Sequence, residues 1–139
     1  MTVHHIDFKV VWEDWTTYQL QNNIVLRVKN PIYRIVEQPQ SGSGETYHID
    51  FEVLHRIEGD IATHEPSQDQ LIRPDDILEQ VSFSPLDERV QIYYIQKYKD
   101  VLLLKPVVTK VSATTKYDLK GYPVFNIESS IMMTSVRLP

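Results

Sequence analysis

Apolar and polar residues alternate with a period of two along much of this chain. In HIDFKVVW, which begins at His5, every second residue is apolar (Ile6, Phe8 and Val10). The stretch TYHIDFEVLHRI, residues 46–57, repeats the pattern. Such alternation is typical of a β-strand with one face in the core and the other in solvent. We therefore predict strands at both places.

Four further stretches are rich in β-branched and aromatic residues and also predict strands. They are NNIVLRVKNPIYRIVE (22–37), ERVQIYYIQKYK (88–99), VLLLKPVVTKVSA (101–113) and YPVFNIESSIMMTSVRL (122–138). In the second of these, Ile92, Tyr94 and Tyr98 share one face, which we interpret as the core side. Pro31 interrupts the first. Because proline cannot donate a ladder hydrogen bond, we expect an edge position or a bulge there.

A polar segment without period two, EGDIATHEPSQDQLIRPDDILEQ (58–80), separates the two sets of strands. Its last part carries a helix-start pattern. Pro74 would occupy the first helical position, and Asp75 and Asp76 would follow in the first turn, where the helix dipole favours acids. The pattern predicts one short helix at about 74–80.

The two halves of the chain resemble each other. A shift of 76 residues lays VLRVKNPIYRI (25–35) on VLLLKPVVTKV (101–111) and Tyr18 on Tyr94, with a proline after the lysine in both runs. We interpret this as an internal duplication, with structural repeats at 5–57 and 80–136 joined by a polar crossover at 58–79. Two such units would close their apolar faces on each other. The predicted fold is a single all-β domain over 1–139, mainly antiparallel, with about eight strands in a β-sandwich or barrel.

Composition narrows the possible functions. The chain has 139 residues, 42% of them hydrophobic, a net charge of −5 and no cysteine. Disulfide frameworks, thiolate zinc sites and cysteine nucleophiles are therefore excluded. The negative charge disfavours binding to phosphate backbones, although YYIQKYK interleaves aromatic residues with Lys97 and Lys99. We expect no nucleic-acid partner.

The N-terminal sequence MTVHHIDFKVVWEDW lacks a basic start followed by an apolar core, so it does not predict a secretory signal. No stretch approaches 18 uninterrupted apolar residues, as a membrane span would require. We predict a cytoplasmic protein without membrane contact.

One set of residues has the chemistry of a metal site. The sequence HIDF occurs twice, and His5, Asp7, His48 and Asp50 would supply two imidazoles and two carboxylates if their strands were neighbours. The alternative is that all four are solvent-facing positions on ordinary strands. His and Asp two residues apart on a strand is a pattern of low specificity.

Two tryptophans and the last strand suggest contacts with a partner. Trp12 and Trp15 flank two acids in VVWEDWTTY, and an exposed tryptophan suits a binding hot spot. The alternative is that both belong to the core. The final strand, SSIMMTSV, has no charge until Arg137 and invites pairing with another chain. The pattern favours a homo-oligomer or a protein partner.

The motifs of common enzymes are missing from the sequence. It contains no GxSxG, no HExxH and no glycine-rich phosphate loop. We therefore favour a non-catalytic binding or assembly module that needs no cofactor, such as a piece of a larger particle. The alternative is a small β-barrel with one metal or small-ligand site on the His5, Asp7, His48 and Asp50 face, a site that could also be catalytic.

Overall fold

The computed structural model describes residues 4–40 and 44–139. Twelve strands and two three-residue 3-10 turns lie within these residues. The strands are β1 (His4–Ile6), β2 (Lys9–Trp12), β3 (Thr16–Leu20), β4 (Val25–Lys29), β5 (Ile32–Gln40), β6 (Gly44–Phe51), β7 (Leu54–Glu58), β8 (Ile77–Gln80), β9 (Phe83–Asp87), β10 (Gln91–Ile95), β11 (Asp100–Tyr117) and β12 (Pro123–Arg137).

All pairings between these strands are antiparallel, and they form three sheets. One sheet has the order β1-β5-β6, and another has the order β7-β4-β3-β9. The third has the order β12-β11-β10-β2, with β8 also paired to β11. The predicted all-β, antiparallel fold is confirmed. No closed barrel is present among the described strands, because each order has two ends.

The chain has more strands than the eight expected because several predicted runs are divided. HIDFKVVW forms β1 and β2 rather than one strand, and a break at Asn30–Pro31 separates β4 from β5. The break at Pro31 agrees with the interruption expected from a residue without an N–H group. In the second half the corresponding run, β11, continues through Pro106, which pairs with Ile131 on β12.

The predicted helix at 74–80 is shorter than expected. Only Pro74–Asp76 is helical, as a single 3-10 turn in which the Asp76 side chain accepts the Arg73 N–H at 2.8 Å. Ile77 is already extended, and Ile77–Gln80 forms β8 against β11. The helix-start pattern was correct, but pairing with β11 satisfies the following backbone groups in an extended conformation.

The crossover between the halves is anchored to the loop that precedes β12. His64 donates its N–H to the Gly121 carbonyl at 2.8 Å, and its ring lies 4.5 Å from that of Tyr117. Gly121 has a φ of +83°, and a Cβ there would lie 2.3 Å from the His64 carbonyl oxygen. This close approach requires a glycine, both for its conformation and for its lack of a side chain.

The strand registers of the two halves correspond. Tyr18 on β3 pairs with Leu26 on β4, and Tyr93 on β10 pairs with Leu102 on β11. Residues of the first half up to β3 are thus shifted by 75 in the second half, and those of β4 and β5 by 76. Tyr18 corresponds to Tyr93, one residue from the match with Tyr94 that the sequence suggested.

The strands after the long loop follow the same rule with a different shift. Ile57 on β7 pairs with Leu26, and Ser135 on β12 pairs with Leu102, a shift of 78 residues. Even the irregularity after Ile32 in the β5–β6 ladder recurs after Val108 in the β11–β12 ladder. Residues related by these shifts are called equivalent below. Duplication of one ancestral unit remains a prediction, and this correspondence is what it would produce.

Each half gives one strand to a sheet of the other. β2, from the first half, pairs with β10, while its equivalent β9 pairs with β3. Each half also places a tyrosine hydroxyl against the backbone of the other half. The Tyr93 hydroxyl accepts the Ile32 N–H at 3.3 Å, and the Tyr18 hydroxyl accepts the Val108 N–H at 3.1 Å. The halves therefore interlock and do not form separate units.

Two hydrophobic clusters hold the sheets together, and both draw on both halves. The first contains Ile6, Ile32, Ile35, Tyr47, Tyr93, Ile95, Leu102 and Leu104. The second contains Tyr18, Leu20, Leu26, Val28, Val108, Val111 and Phe125, with Val81 partly buried beside them. Seven of the eight members of the first cluster have their equivalents among the seven members of the second, and the equivalent of Ile6 is Val81. Tyr93, and not Tyr94, is the core tyrosine of β10, which corrects the face inferred from the sequence.

Candidate binding surface

The four residues considered for a metal site are divided between strands that are not neighbours. β5 lies between β1 and β6, and Val36 on β5 pairs with both His5 and His48. Two strand spacings, roughly 10 Å, therefore separate the two histidine backbones. Within residues 4–40 and 44–139, no three His, Asp or Glu side chains are grouped so that they could hold a metal.

Only one pair of this set is in contact. His48 Nε2 lies 3.3 Å from Asp50 Oδ1, and the other oxygen of Asp50 binds Arg34 Nε. The hydrogen bond from Arg34 is the main reason that the pKa of Asp50 lies below its usual value. His5 and Asp7 instead line an open cleft of about 390 Å³ beside Arg34. The metal hypothesis stays a prediction, without support from this geometry.

The two tryptophans have different surroundings. Trp12 ends β2, and 53% of its surface is exposed. Trp15 precedes β3 and is half-buried beneath two cations. Arg56 Cζ lies 4.9 Å and Lys29 Nζ 5.8 Å from the centre of its ring. Trp12 is therefore the tryptophan that a partner could contact directly.

Trp12 belongs to an apolar surface on the side of its sheet that faces away from the core. Two rows of paired residues cross β2, β10, β11 and β12 on this side. We call them the Trp12 face: Trp12, Ile92, Leu103 and Thr134 in one row, and Lys9, Tyr94, Val101 and Val136 in the other. None of the eight belongs to either hydrophobic cluster. Six of the eight are apolar or aromatic.

The equivalent surface on the β7-β4-β3-β9 sheet is polar. Its two rows, which we call the Arg27 face, are Asp87, Thr17, Arg27 and Arg56, and Ser84, Gln19, Val25 and Glu58. Arg27 Nε and Glu58 Oε2 form an ion pair there at 3.2 Å. Asp87 stands where the other sheet has Trp12, and Arg27 stands where it has Leu103. Only Val25 and its equivalent, Val101, are identical.

The edge strands of the β7-β4-β3-β9 sheet also carry a proline and charged residues at positions where the other sheet has apolar or uncharged residues. In β9, the edge strand beside β3, Pro85 stands where β2 has Val10. At the opposite edge, β7 carries Arg56 and Glu58. Prolines and charges are the usual means by which edge strands avoid pairing with other chains. The stretch of β12 equivalent to β7, residues 132–136, reads MMTSV and carries neither.

A separate cavity lies where β7 meets the loop before β12. It has a volume of about 450 Å³ and is lined by His55, Arg56, Ile57, Gln70, Asp118, Leu119, Lys120 and Tyr122. Burial lowers the pKa of His55 below the usual value of a histidine. Asp118 Oδ1 already accepts the backbone N–H groups of Lys120 and Tyr122, both at 2.9 Å. The carboxylate is thus engaged in shaping the loop.

Sequence reasoning identified Trp12 but missed the rest of the Trp12 face. A signal for it was present in the alignment of the halves. VLRVK (25–29) interrupts its apolar run with Arg27, whereas VLLLK (101–105) has Leu103 there. A strand that is apolar on both sides predicts a cover on both sides. In this structure, Leu102 and Leu104 are buried on one side, whereas Val101 and Leu103 on the other side remain partly exposed.

Comparison with known proteins adds no further indication. No protein-family model matches the chain, and neither a curated protein nor a solved structure matches it significantly. Within the described residues, no helix is both long enough and apolar enough to cross a membrane.

Proposed function

We propose that this chain is a non-catalytic binding and assembly module that attaches to a protein partner through the Trp12 face. The observation that carries the proposal is the contrast between the Trp12 face and the Arg27 face. The two surfaces have the same strand registers and lie over equivalent cores. The fold therefore tolerates a polar surface at this position, and its own stability does not explain the apolar one.

The chemistry of the Trp12 face suits a protein more than a nucleic acid. Trp12 and Tyr94 offer large aromatic surfaces, which are enriched at the centres of protein interfaces. Lys9 is the one cation among the eight residues, whereas binding to a phosphate backbone relies on several. Trp12 and Val136 are exposed, and the other four apolar residues of the face are partly exposed. Apolar residues that remain accessible together on a sheet favour association with another chain. The expected partner has an apolar patch of matching size.

A site-specific photo-crosslinker tests this proposal. The full chain contains no cysteine, so Trp12→Cys and Asp87→Cys each give one attachment point for a maleimide photo-crosslinker. We expect the label at position 12 to capture a defined protein from an extract of the producing cells. The label at position 87, on the equivalent polar face, serves as the matched control and should capture nothing defined.

A second variant links the capture to the face. Leu103→Arg introduces the residue found at the equivalent position, Arg27, and should abolish capture from position 12. Because Leu103 faces away from the core, the free energy of unfolding should change by less than about 1 kcal/mol. Equal capture from positions 12 and 87, or capture that Leu103→Arg leaves unchanged, would overturn the proposal.

A further inference from the structure

We infer that the edge of β12, which ends its sheet among the described strands, pairs with β12 of a second copy of this chain, in antiparallel orientation about a two-fold axis. This inference rests on the proposed function, because it names the partner for one edge of the sheet that carries the Trp12 face. It concerns residues 129–137, and the photo-crosslinking test at Trp12 does not depend on it.

The C-terminal part of β12 is a long and regular edge. Residues 129–137 pair one to one with residues 108–100 of β11, without a register shift. β12 ends the strand order of its sheet among the described strands. Nine residues exceed the usual strand length of about five or six. β2, at the other end of the order, is shorter and has a bulge opposite Ile92 and Tyr93.

The same stretch is uncharged, and two apolar side chains on its outer side are exposed. From Ser129 to Val136 there is no charged residue. Met132 is 65% exposed and Val136 is 48% exposed. Each copy carries a net charge of −5, which opposes association in general. An uncharged edge is where two copies meet with the least repulsion, and no like charges would lie opposite each other.

Pairing of two β12 strands about a two-fold axis would also enlarge the Trp12 face. A two-fold axis perpendicular to the sheet brings residues opposite each other whose side chains point to the same side. Thr134 and Val136 of both copies would therefore stay on the same face. The Trp12 face would then extend across eight strands in place of four, which gives a partner twice the surface.

The surface area that this contact would bury is small. Nine residues span roughly 30 Å, and a sheet is about 10 Å thick, so the edge offers about 300 Å² per copy. Two copies would bury about 600 Å², whereas stable interfaces bury about 1,200 Å² or more. We therefore expect a reversible dimer whose population rises with protein concentration.

A cysteine scan in the full chain detects this arrangement. Ile131, Met132, Met133, Thr134 and Ser135 are each replaced by cysteine in a chain that otherwise has none. Residues opposite each other in an antiparallel pair have Cα atoms about 4.5–5.5 Å apart, within the range of a disulfide. Mild oxidation should give a disulfide-linked dimer fastest at one position, at least 10-fold faster than at Leu54→Cys on the equivalent strand β7.

Sedimentation velocity provides a second measurement. The wild-type chain should show a concentration-dependent dimer, and Met132→Glu should weaken it by at least 10-fold, because it introduces two like charges at the contact. Leu54→Glu is the matched control, since Leu54 is the equivalent of Met132 and is 42% exposed. It should leave the dimer unchanged. Circular dichroism spectra should be the same for all three proteins.

The outcomes separate this inference from the proposed function. A chain that stays monomeric, with no preferred position in the cysteine scan, overturns the β12 dimer, and capture at position 12 still decides the role of the Trp12 face. A dimer that survives Met132→Glu but is lost in Leu103→Arg also overturns it, because the copies would then meet through the Trp12 face.

Discussion

The β12-β11-β10-β2 array and the β7-β4-β3-β9 array have corresponding strand registers. The outer surface of the first array is largely apolar, whereas that of the second is polar. On the core side, equivalent residues keep their character. Leu102 matches Leu26, and the Phe8–Tyr93 ring contact at 5.8 Å matches the Tyr18–Phe83 contact at 5.7 Å. On the outer side, Trp12 is matched by Asp87. Core packing constrains one side of a sheet and leaves the other to the demands of solvent or a partner.

The cores themselves differ in their polar groups. The Tyr93 hydroxyl accepts hydrogen bonds from Ile32 N and from Gln91 Nε2, and donates one to Glu13. Burial and the Glu13 carboxylate raise the pKa of Tyr93. Glu13 also pairs with Lys29, as the equivalent Glu88 pairs with Lys105. The Glu–Lys ion pair is therefore present in both halves, but Tyr93 takes part in more hydrogen bonds than Tyr18 does.

The largest expected effect tests the equivalence of the cores. Leu26→Ala and Leu102→Ala each remove a side chain with no exposed surface. Each should lower the free energy of unfolding by about 3 kcal/mol, from lost burial and the cavity left behind. Urea denaturation measures both. A difference of more than about 2 kcal/mol between them would contradict the view that the clusters pack alike.

A smaller effect should separate the two tyrosines. Tyr93→Phe leaves the Ile32 N–H and one N–H of the Gln91 amide without an acceptor, so we expect a loss of about 2 kcal/mol. Tyr18→Phe leaves only Val108 N–H, and the expected loss is about 1 kcal/mol. Chemical denaturation at pH 7 gives both values. A larger loss for Tyr18→Phe would show that the polar network around Tyr93 adds little.

The smallest effect concerns an ion pair found in one half. Asp100 is buried and binds the Arg137 guanidinium and the Tyr47 hydroxyl, whereas its equivalent is Ile24. The hydrogen bond from Arg137 is the main cause that lowers the pKa of Asp100 below 3.8. A carboxyl with a lowered pKa contributes stability that is present above its unfolded pKa and is lost as the pH falls through the folded value.

Asp100→Asn should therefore lower the free energy of unfolding at pH 7 by about 1 kcal/mol, because Arg137 is half exposed and solvent screens the pair. The variant should also lose less stability than the wild type between pH 5 and pH 2. Denaturation curves across this range provide the measurement. Parallel curves for the two proteins would show that Asp100 does not contribute to acid sensitivity.

A small part of the candidate surface was within reach of the sequence. The uncharged stretch from Ser129 to Val136 was readable, because lack of charge is a local property. Trp12 was a candidate together with Trp15, and only the tertiary structure decided which of the two is exposed. The partners of Trp12 were not readable. Ile92 and Leu103 join it only because β2 pairs with β10, and nothing in HIDFKVVW specifies that partner.

By itself, the sequence determined the extended conformation of most of the chain and the correspondence between its halves, since alternation and spacing are properties of the backbone and its neighbours along the chain. Tertiary structure alone decided three other features. In QIYYI both faces contain apolar residues, and only the packing of the sheets decided that Tyr93 is buried and that Tyr94 lies on the other face. The exchange of β2 and β9 and the separation of His5 from His48 depended on strand order, which local alternation does not encode.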